Sequence, residues 1–469
     1  MHGVKFFTGA AVSVLLTALA GPTPALADTI EAALVRAYQN NPQLNAQRAQ
    51  VRSTDENVPQ ALSGYRPKVN VSLGTGAQYQ DIQAVQKGGS IHGNTVAPTT
   101  QPLQPNSASL TVSQTLYNGN QTANKTRAAE SQVSGAREAL RVLEQTVLLQ
   151  AATVYMDYLR DAATLEVQRS NVRVLEQTLK QTRDRFNVGE VTRTDVAQSE
   201  AQLAAGNTQA LTAESNLTTT RSNFRRIIGN EPANLAPGSP VDRFLPGTLP
   251  SAVNLSLVEN PNVTASMYGI DVNYLQVKIN EGALLPTVTV QAGVSTAYQQ
   301  SLQVFRTNTA SAIATASIPI FQGGAEYSLI RQSKENLAQQ RLNLETTRDQ
   351  TRASVVTAWG QLVAGKAQVS SAQAQVTASE IALNGVREEA KAGQRTTLDV
   401  LNAQQALVNA RVALVTAQHD RVVASYSVLN AVGRLAPQVL GLNTTVYDPS
   451  VHYQQVRDSW VGVRTPDGR

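Results

Sequence analysis

Two short stretches hold the residues best placed to do chemistry. They are Arg185-Phe186-Asn187-Val188-Gly189-Glu190-Val191-Thr192-Arg193-Thr194-Asp195-Val196 and Glu389-Ala390-Lys391-Ala392-Gly393-Gln394-Arg395-Thr396-Thr397-Leu398-Asp399-Val400. Thr192 stands three residues before Asp195, and Thr396 three before Asp399. That spacing is a capping box, with aspartate in place of the usual Glu or Gln. Gly189 and Gly393 precede the caps and interrupt a helical pattern, as a C-terminal glycine does. Each stretch therefore reads as a sharp turn that stops one helix and starts the next. The two carboxylates are well explained as caps alone. Arg395 is not, because the positive end of a helix dipole disfavours a cation. Its position points to a carboxylate elsewhere, and the chemistry on offer is electrostatic.

Other chemistry is missing from the sequence. Cysteine is absent, which excludes disulfides, thiolate metal sites, thiol nucleophiles and a lipid anchor on an N-terminal cysteine. His2, His92, His419 and His452 are scattered and form no metal pair; His92 falls in an expected outer loop. No Ser/His/Asp set and no phosphate loop is present, so neither an enzyme nor a cofactor is expected. The formal charge of +5 is spread without a basic run, which argues against a nucleic-acid partner.

The elements that position the two turns are long helices. From Asn120 to Val188 no proline occurs, and apolar residues recur at threes and fours, from Ala136, Leu140 and Leu143 to Leu175, Leu179 and Phe186. Interval sums of seven indicate coiled-coil packing. At 1.5 Å per residue such an arm reaches about 100 Å. Gly323 to Ala392 makes a second arm, with Gly360 and Gly365 as soft points. Return arms run from Thr192 to about Ile228 and from Thr396 to about Val432. Only 16% of residues are charged and 5% aromatic, which suits narrow seams better than a thick core. Tyr155 and Trp359 are expected in those seams. Gly393 lies 204 residues after Gly189, and the same offset relates Gly119 to Gly323, Asp195 to Asp399 and Gly229 to Gly433. A constant offset implies a gap-free internal duplication.

Elsewhere the period changes to two. Val69, Val71, Leu73, Thr75, Ala77 and Tyr79 alternate with polar or small residues. So do Ala108, Leu110, Val112 and Leu116; Val288, Val290, Ala292, Val294 and Tyr298; and Ala312, Ala314, Ala316, Ile318 and Ile320. Four strands of about ten residues are long enough to cross a bilayer when tilted. Four cannot close a barrel, and an open edge cannot sit in lipid, so two chains or three must share one. A loop is expected from about Gln80 to Asn106. Helical segments flank the strands from Asp28 to Ser63 and from Leu255 to Leu284, each broken by an Asn-Pro step, Asn41-Pro42 and Asn260-Pro261.

The expected division is residues 1–27 as a signal peptide, 28–229 as a first repeat, 230–250 as a linker, 251–433 as a second repeat and 434–469 as a C-terminal tail, loosely ordered after Leu440. Lys5, an apolar stretch from Phe6 to Leu19 and the cleavage site Ala25-Leu26-Ala27 mark export, with the mature chain starting at Asp28. A structural rival to a channel is a periplasmic coiled-coil spacer or adhesin with a small sheet.

Taken together, the two turns, the segment Ile318-Pro319-Ile320-Phe321-Gln322-Gly323-Gly324 and the twin Asn-Pro steps resemble the TolC family of outer-membrane efflux and secretion channels. The likeness covers nearly all of the mature chain. It implies an α+β fold: a homotrimer whose β-barrel, four strands per chain, sits in outer-membrane lipid and continues into a long periplasmic α-helical barrel. It implies a passive exit duct for small toxic molecules or secreted polypeptides. The partners would be a periplasmic adaptor protein and an inner-membrane pump or ABC transporter. The tips Val188-Gly189-Glu190 and Ala392-Gly393-Gln394 would meet the adaptor. Thr194 and Asp195 match acceptors that bond across subunits to a basic residue, here Arg395, in the closed state. Asp399 matches one member of an acidic ring at the constriction. Two positions depart from the family pattern: Ala390 replaces a tyrosine latch, and Asn402 replaces a second ring aspartate.

Overall fold

The computed structural model describes residues 28–86, 95–301, 304–466 and 468. The expected signal peptide and His92 lie outside them. The described residues open with three helices, α1 (Ile30–Asn40), α2 (Pro42–Asp55) and α3 (Asn57–Leu62). Strands β1 (Lys68–Thr75), β2 (Gln78–Gln86), β3 (Thr95–Leu103) and β4 (Asn106–Asn118) follow. A hairpin of long helices, α4 (Gln121–Asn187) and α5 (Arg193–Ile228), comes next. Then come α6 (Leu249–Glu259), α7 (Pro261–Gly282), β5 (Thr287–Ser301) and β6 (Val304–Ser317). A second hairpin, α8 (Ala325–Lys391) and α9 (Thr397–Val432), precedes two short helices, α10 (Pro437–Leu440) and α11 (Ser450–Val456). The two long arms have 67 residues each and the two return arms 36 each. Among the described residues, no helix is long and apolar enough to cross a membrane.

One antiparallel sheet has the order β1-β4-β5-β6. Its register lines like residues up across all four strands. Val71, Leu110, Val294 and Ala310 form one row, and Val69, Val112, Ala292 and Ala312 form the next. The opposite face carries Ser72, Ser109, Ser295 and Thr309 in one row and Asn70, Thr111, Gly293 and Ser311 in another. The sheet is thus apolar on one face and polar on the other, as the period of two predicts. A bulge between Thr115 and Tyr117 hands the partner Val288 to Tyr117, so Leu116 drops out of its expected row. β6 ends at Ser317, which leaves Ile318 and Ile320 beyond the strand.

The long loop expected from Gln80 to Asn106 is corrected. Its two arms pair as a separate antiparallel hairpin, β2 with β3, with Tyr79 opposite Pro102 and Ile82 opposite Thr99. Proline misled the sequence reading. A strand with one free edge tolerates it, and Pro98 and Pro102, four residues apart, share one edge.

The main core lies where α1, the middle of α4, and the ends of α5 and α9 converge. Ile30, Leu34 and Tyr38 pack there against Val147, Leu148, Phe224, Ile228, Tyr426 and Leu429. Tyr155 is fully buried in this core and its hydroxyl reaches the carbonyls of Asp28 and Ala236 at 2.8 and 2.6 Å. It is therefore a core anchor rather than a seam residue, while half-buried Trp359 packs on a smaller cluster around Val355 and Leu362. Toward the tips the packing narrows to seams such as Val376, Leu383, Leu407 and Ala410. Gly365 is no soft point. α8 runs unbroken through it, and an added Cβ would lie 3.3 Å from the Arg421 backbone, so the glycine allows close helix approach.

Each Asn-Pro step does two jobs. The Asn41 side chain accepts the N–H groups of Gln43 and Leu44 and so caps α2; Asn260 accepts that of Asn262 and caps α7. The same amides donate to the end carbonyls of the return arms, Asn41 to Ile227 at 3.4 Å and Asn260 to Ala431 at 2.9 Å. Both arms then stop at left-handed glycines, Gly229 (φ 94°) and Gly433 (φ 92°).

Among the described residues the tail after Leu440 packs on the helices, against expectation. α11 docks on α2 and α4, with His452 Nδ1 2.9 Å from Asp55 of α2, a carboxylate with no solvent exposure. Burial raises the Asp55 pKa from its ordinary value, and the His452 bond opposes that rise. The aromatic residues lack sequence periodicity because they pack on cations instead: Tyr447 on Arg48, Tyr453 on Arg137 and Trp460 on Arg66.

A second polar cluster, centred on buried His419, ties α9 to α4. His419 Nε2 lies 3.0 Å from Asp157 and Nδ1 lies 2.8 Å from Asp420, while Arg160 pairs with Asp157 and Asp161. Two carboxylates on one ring favour the imidazolium. Burial pulls the His419 pKa down, but the bonds to Asp157 and Asp420 outweigh it and leave it raised.

Two predictions follow from this packing. Asn260→Ala should cost about 1–2 kcal/mol, and Asn260→Asp a comparable amount, since Asp keeps the cap but turns a carboxylate oxygen toward the Ala431 carbonyl. Thermal unfolding of the detergent-purified protein measures both. A raised His419 pKa contributes stability that is whole below about pH 6.5 and lost as pH rises through the folded value. The melting midpoint should therefore fall by about 1–3 °C as pH rises from about 6.5 through that folded value, and His419→Gln should remove that part of the pH dependence.

Candidate functional site

The two helix tips are built alike. At the first, the Gly189 N–H donates to Phe186 O at 3.0 Å and the Glu190 N–H to Arg185 O at 2.9 Å. At the second, the Gly393 N–H donates to Ala390 O at 3.2 Å and the Gln394 N–H to Glu389 O at 2.9 Å. Both are Schellman closures around a left-handed glycine, Gly189 at φ 82° and Gly393 at φ 81°. The next helix starts at once. The Thr192 hydroxyl accepts the Asp195 N–H, and Asp195 Oδ2 accepts the Thr192 hydroxyl at 2.7 Å and its N–H at 2.9 Å. Thr396 and Asp399 repeat this geometry at 2.8 and 2.9 Å. The capping boxes read from the sequence are thus present at both turns.

These bonds set the electrostatics. The Thr192 hydroxyl and then its N–H hold the Asp195 carboxyl below the usual carboxylate range. The Thr396 N–H and then its hydroxyl do the same for Asp399. Their contribution is present above a pH of about 4 and is lost only as pH falls through the lowered values. Both tips are therefore charged and capped throughout the neutral range.

Each tip also carries an ion pair across its glycine. Arg185 Nε meets Glu190 at 2.9 Å, and Arg395 Nε meets Glu389 at 2.8 Å. Glu389 raises the Arg395 pKa further. The signs are exchanged: the residue two before the helix end is Arg185 at one tip and Glu389 at the other. Arg395 does answer a carboxylate, as its place at a helix start suggests, but that carboxylate lies on its own hairpin. Within one chain no hydrogen bond or ion pair joins Arg395 to Thr194 or Asp195. Glu389 was missed as a site residue. Its signal was its place on the far side of a chain-reversing glycine from Arg395.

Thr194 is exposed in the first turn of α5, Asp195 and Asp399 are half-buried, Ala390 is half-buried and Asn402 exposed. Val188 is 73% exposed, and Glu190, Ala392 and Gln394 are exposed too. A Cβ on Gly189 or Gly393 would meet nothing within 4 Å, so only the positive φ demands glycine there. Behind the tips the hairpins are joined by side-chain amides. Gln404 donates to Asn171 at 3.3 Å and accepts from Arg387 at 3.0 Å, and Gln202 donates to Gln405 at 3.1 Å. Among the described residues no His, Cys, Asp and Glu are grouped to hold a metal.

The fold is that of known outer-membrane channels. The chain superposes on the Campylobacter jejuni CmeC outer membrane channel with a TM-score of 0.74 at 16% identity, over 92% of this chain and 89% of that one. In sequence it is 26% identical to the outer membrane protein TolC of Escherichia coli, over 89% of this chain and 85% of TolC. It is 39% identical to the outer membrane efflux protein BepC of Brucella suis, over 99% of this chain and 98% of BepC. The outer membrane efflux protein family matches residues 33–230 and 252–434, which hold both helical hairpins and both tips. On this match and this identity, the chain belongs to the outer membrane efflux protein family.

Proposed function

We propose that three copies of this outer-membrane protein form a passive exit duct whose periplasmic tips open when a partner engages them. One observation carries the reading: a four-stranded antiparallel sheet, apolar on one face, polar on the other and open at both edges, runs into helical arms of 67 residues. An unpaired strand edge cannot persist in lipid. The order β1-β4-β5-β6 alternates in direction, so β6 of one copy meets β1 of the next antiparallel. Three copies would close a twelve-stranded barrel, an even count within the known range. The β2–β3 hairpin stays outside this count. The equal lengths of paired arms and the matching tips support descent from a duplicated unit. Exposed apolar residues along α8, Leu342, Val356, Val363 and Ile381, suit burial against the neighbouring copy.

The duct holds no energy source, so an inner-membrane pump would supply it, reached through a periplasmic adaptor at Val188-Gly189-Glu190 and Ala392-Gly393-Gln394. Because the full-length relative is named for efflux, small-molecule export is the first reading and polypeptide secretion the second. The gate would be an exchange of partners. Arg395 bonds Glu389 within its own hairpin; in the closed trimer, Thr194 and Asp195 of the adjoining copy would compete for it. An Arg–carboxylate bond is directional, yet solvated and screened by salt, so closure is a modest bias that adaptor binding overcomes. Three copies of Asp399 would ring the constriction, with Asn402 adding no charge.

Single-channel recording in planar bilayers tests this, on trimers verified by cross-linking. Arg395→Ser and Asp195→Ala should each raise conductance, the double variant no further, and Glu389→Gln should lower it by freeing Arg395 for its neighbour. These differences should shrink in high salt. A stable inserted monomer, or unchanged conductance in Arg395→Ser, would overturn the reading. Asp399→Asn should leave closure intact and weaken block by divalent or trivalent cations about tenfold or more, by removing the ring of three carboxylates.

A further inference from the structure

The C-terminal tail follows α1–α3 in register. Tyr447 donates its N–H to the Tyr38 hydroxyl at 3.2 Å, His452 reaches Asp55 at 2.9 Å, and the Ser459 carbonyl accepts from Arg66 at 2.6 Å. As the first helices climb from residue 38 to residue 66, the tail climbs beside them from 447 to 459. Arg66 stands two residues before β1, so the tail arrives where the helices give way to the sheet.

At that level it turns apolar and meets nothing that hides it. The Trp460 ring lies 4.8 Å from the Arg66 guanidinium carbon and is 67% exposed. Val461 and Val463 follow with almost no cover. The neighbouring surface is of the same kind: Tyr65 before β1, Leu116 and Tyr117 at the end of β4, and Ile318, Ile320 and Phe321 after β6 are all exposed. Cations are interleaved at Arg66, Lys68 and Arg464. An amphipathic ring with a polar edge, apolar neighbours and nearby cations matches a phospholipid headgroup layer better than it matches water.

We infer that residues 459–464 form a membrane-surface anchor, with Trp460, Val461 and Val463 seated among the phospholipid headgroups of the periplasmic leaflet and Arg66 and Arg464 on their phosphates. The buried His452–Asp55 link and the Tyr453–Arg137 stack hold the tail at that height. The inference rests on the barrel reading, because it needs the sheet to lie in the bilayer.

The test uses tryptophan fluorescence. The chain has two tryptophans, so Trp359→Phe leaves Trp460 as sole reporter. The full-length variant is reconstituted into phosphatidylethanolamine and phosphatidylglycerol vesicles carrying bromine at shallow or at deep acyl positions. Shallow bromine should quench Trp460 emission roughly twofold or more, and deep bromine less. Water-like emission without quenching overturns the anchor. So does blue-shifted emission without quenching, which would place another copy of the chain over the ring. Should Trp359→Phe fold poorly, the bromine-sensitive part of wild-type emission is compared with that of Trp460→Phe. Leu110→Trp, made with both native tryptophans replaced by Phe, reports separately on the sheet. If it is quenched by deep bromine and Trp460 is not, the anchor fails and the barrel stands; if neither is quenched, both fail.

Discussion

A backbone amide placed in hydrocarbon has no water to bond, so it must find a partner in protein. The central sheet satisfies its inner strands and leaves β1 and β6 each with one open edge. Everything else is arranged around that deficit. The two edges run in opposite directions, so under the proposed assembly copies of the chain would be the partners. The polar face of the sheet is affordable only if it lines water rather than lipid. The serine, threonine and asparagine rows are therefore as informative as the valine and alanine rows opposite them.

The helical arms solve a different problem. A 67-residue helix without a thick core must be held by many small contacts. The chain concentrates its large side chains at one level, where Tyr38, Tyr155, Phe224 and Tyr426 are buried together, and thins to alanine, leucine and valine toward the tips. Cross-hairpin bonds then take over from apolar area: His419 to Asp157, Gln404 to Asn171, Gln202 to Gln405. These bonds join α9 to α4 and α5 of the same chain. The two hairpins of one chain are thus fastened to each other, so in the proposed trimer the tips would part at the boundary between copies.

How much was legible depended on the range of the interaction. The capping boxes, the turn glycines and the alternating strand faces are local, so spacing alone disclosed them. The Asn-Pro steps showed only as breaks in a helical pattern; the bonds from Asn41 to Ile227 and from Asn260 to Ala431 span most of a repeat and leave no local pattern. The β2–β3 pairing was hidden because Pro98 and Pro102 look like loop residues until a free edge is known. The tail was unreadable because its order comes from single long-range contacts, His452 with Asp55 and Trp460 with Arg66, rather than from a helix-wide stripe. Glu389 fell between these cases: close in sequence to Arg395, yet brought to it only by the reversal at Gly393.

One tension in the sequence is resolved by atom-level bookkeeping. Asp195 reads equally as a helix cap and as a gate acceptor, and the two roles look exclusive. They are not, because the cap uses one oxygen. Both bonds from Thr192 end on Asp195 Oδ2, and both bonds from Thr396 end on Asp399 Oδ2. An ionised carboxylate has two acceptor oxygens, so Oδ1 of each stays free to face a guanidinium or a cation. The cap also improves the acceptor: it fixes the carboxylate's orientation and keeps it ionised well below neutral pH. A residue that closes its own helix is in this way a better-positioned charge for a neighbour, and under the proposed gate only the neighbour's arginine would have to leave its own Glu389.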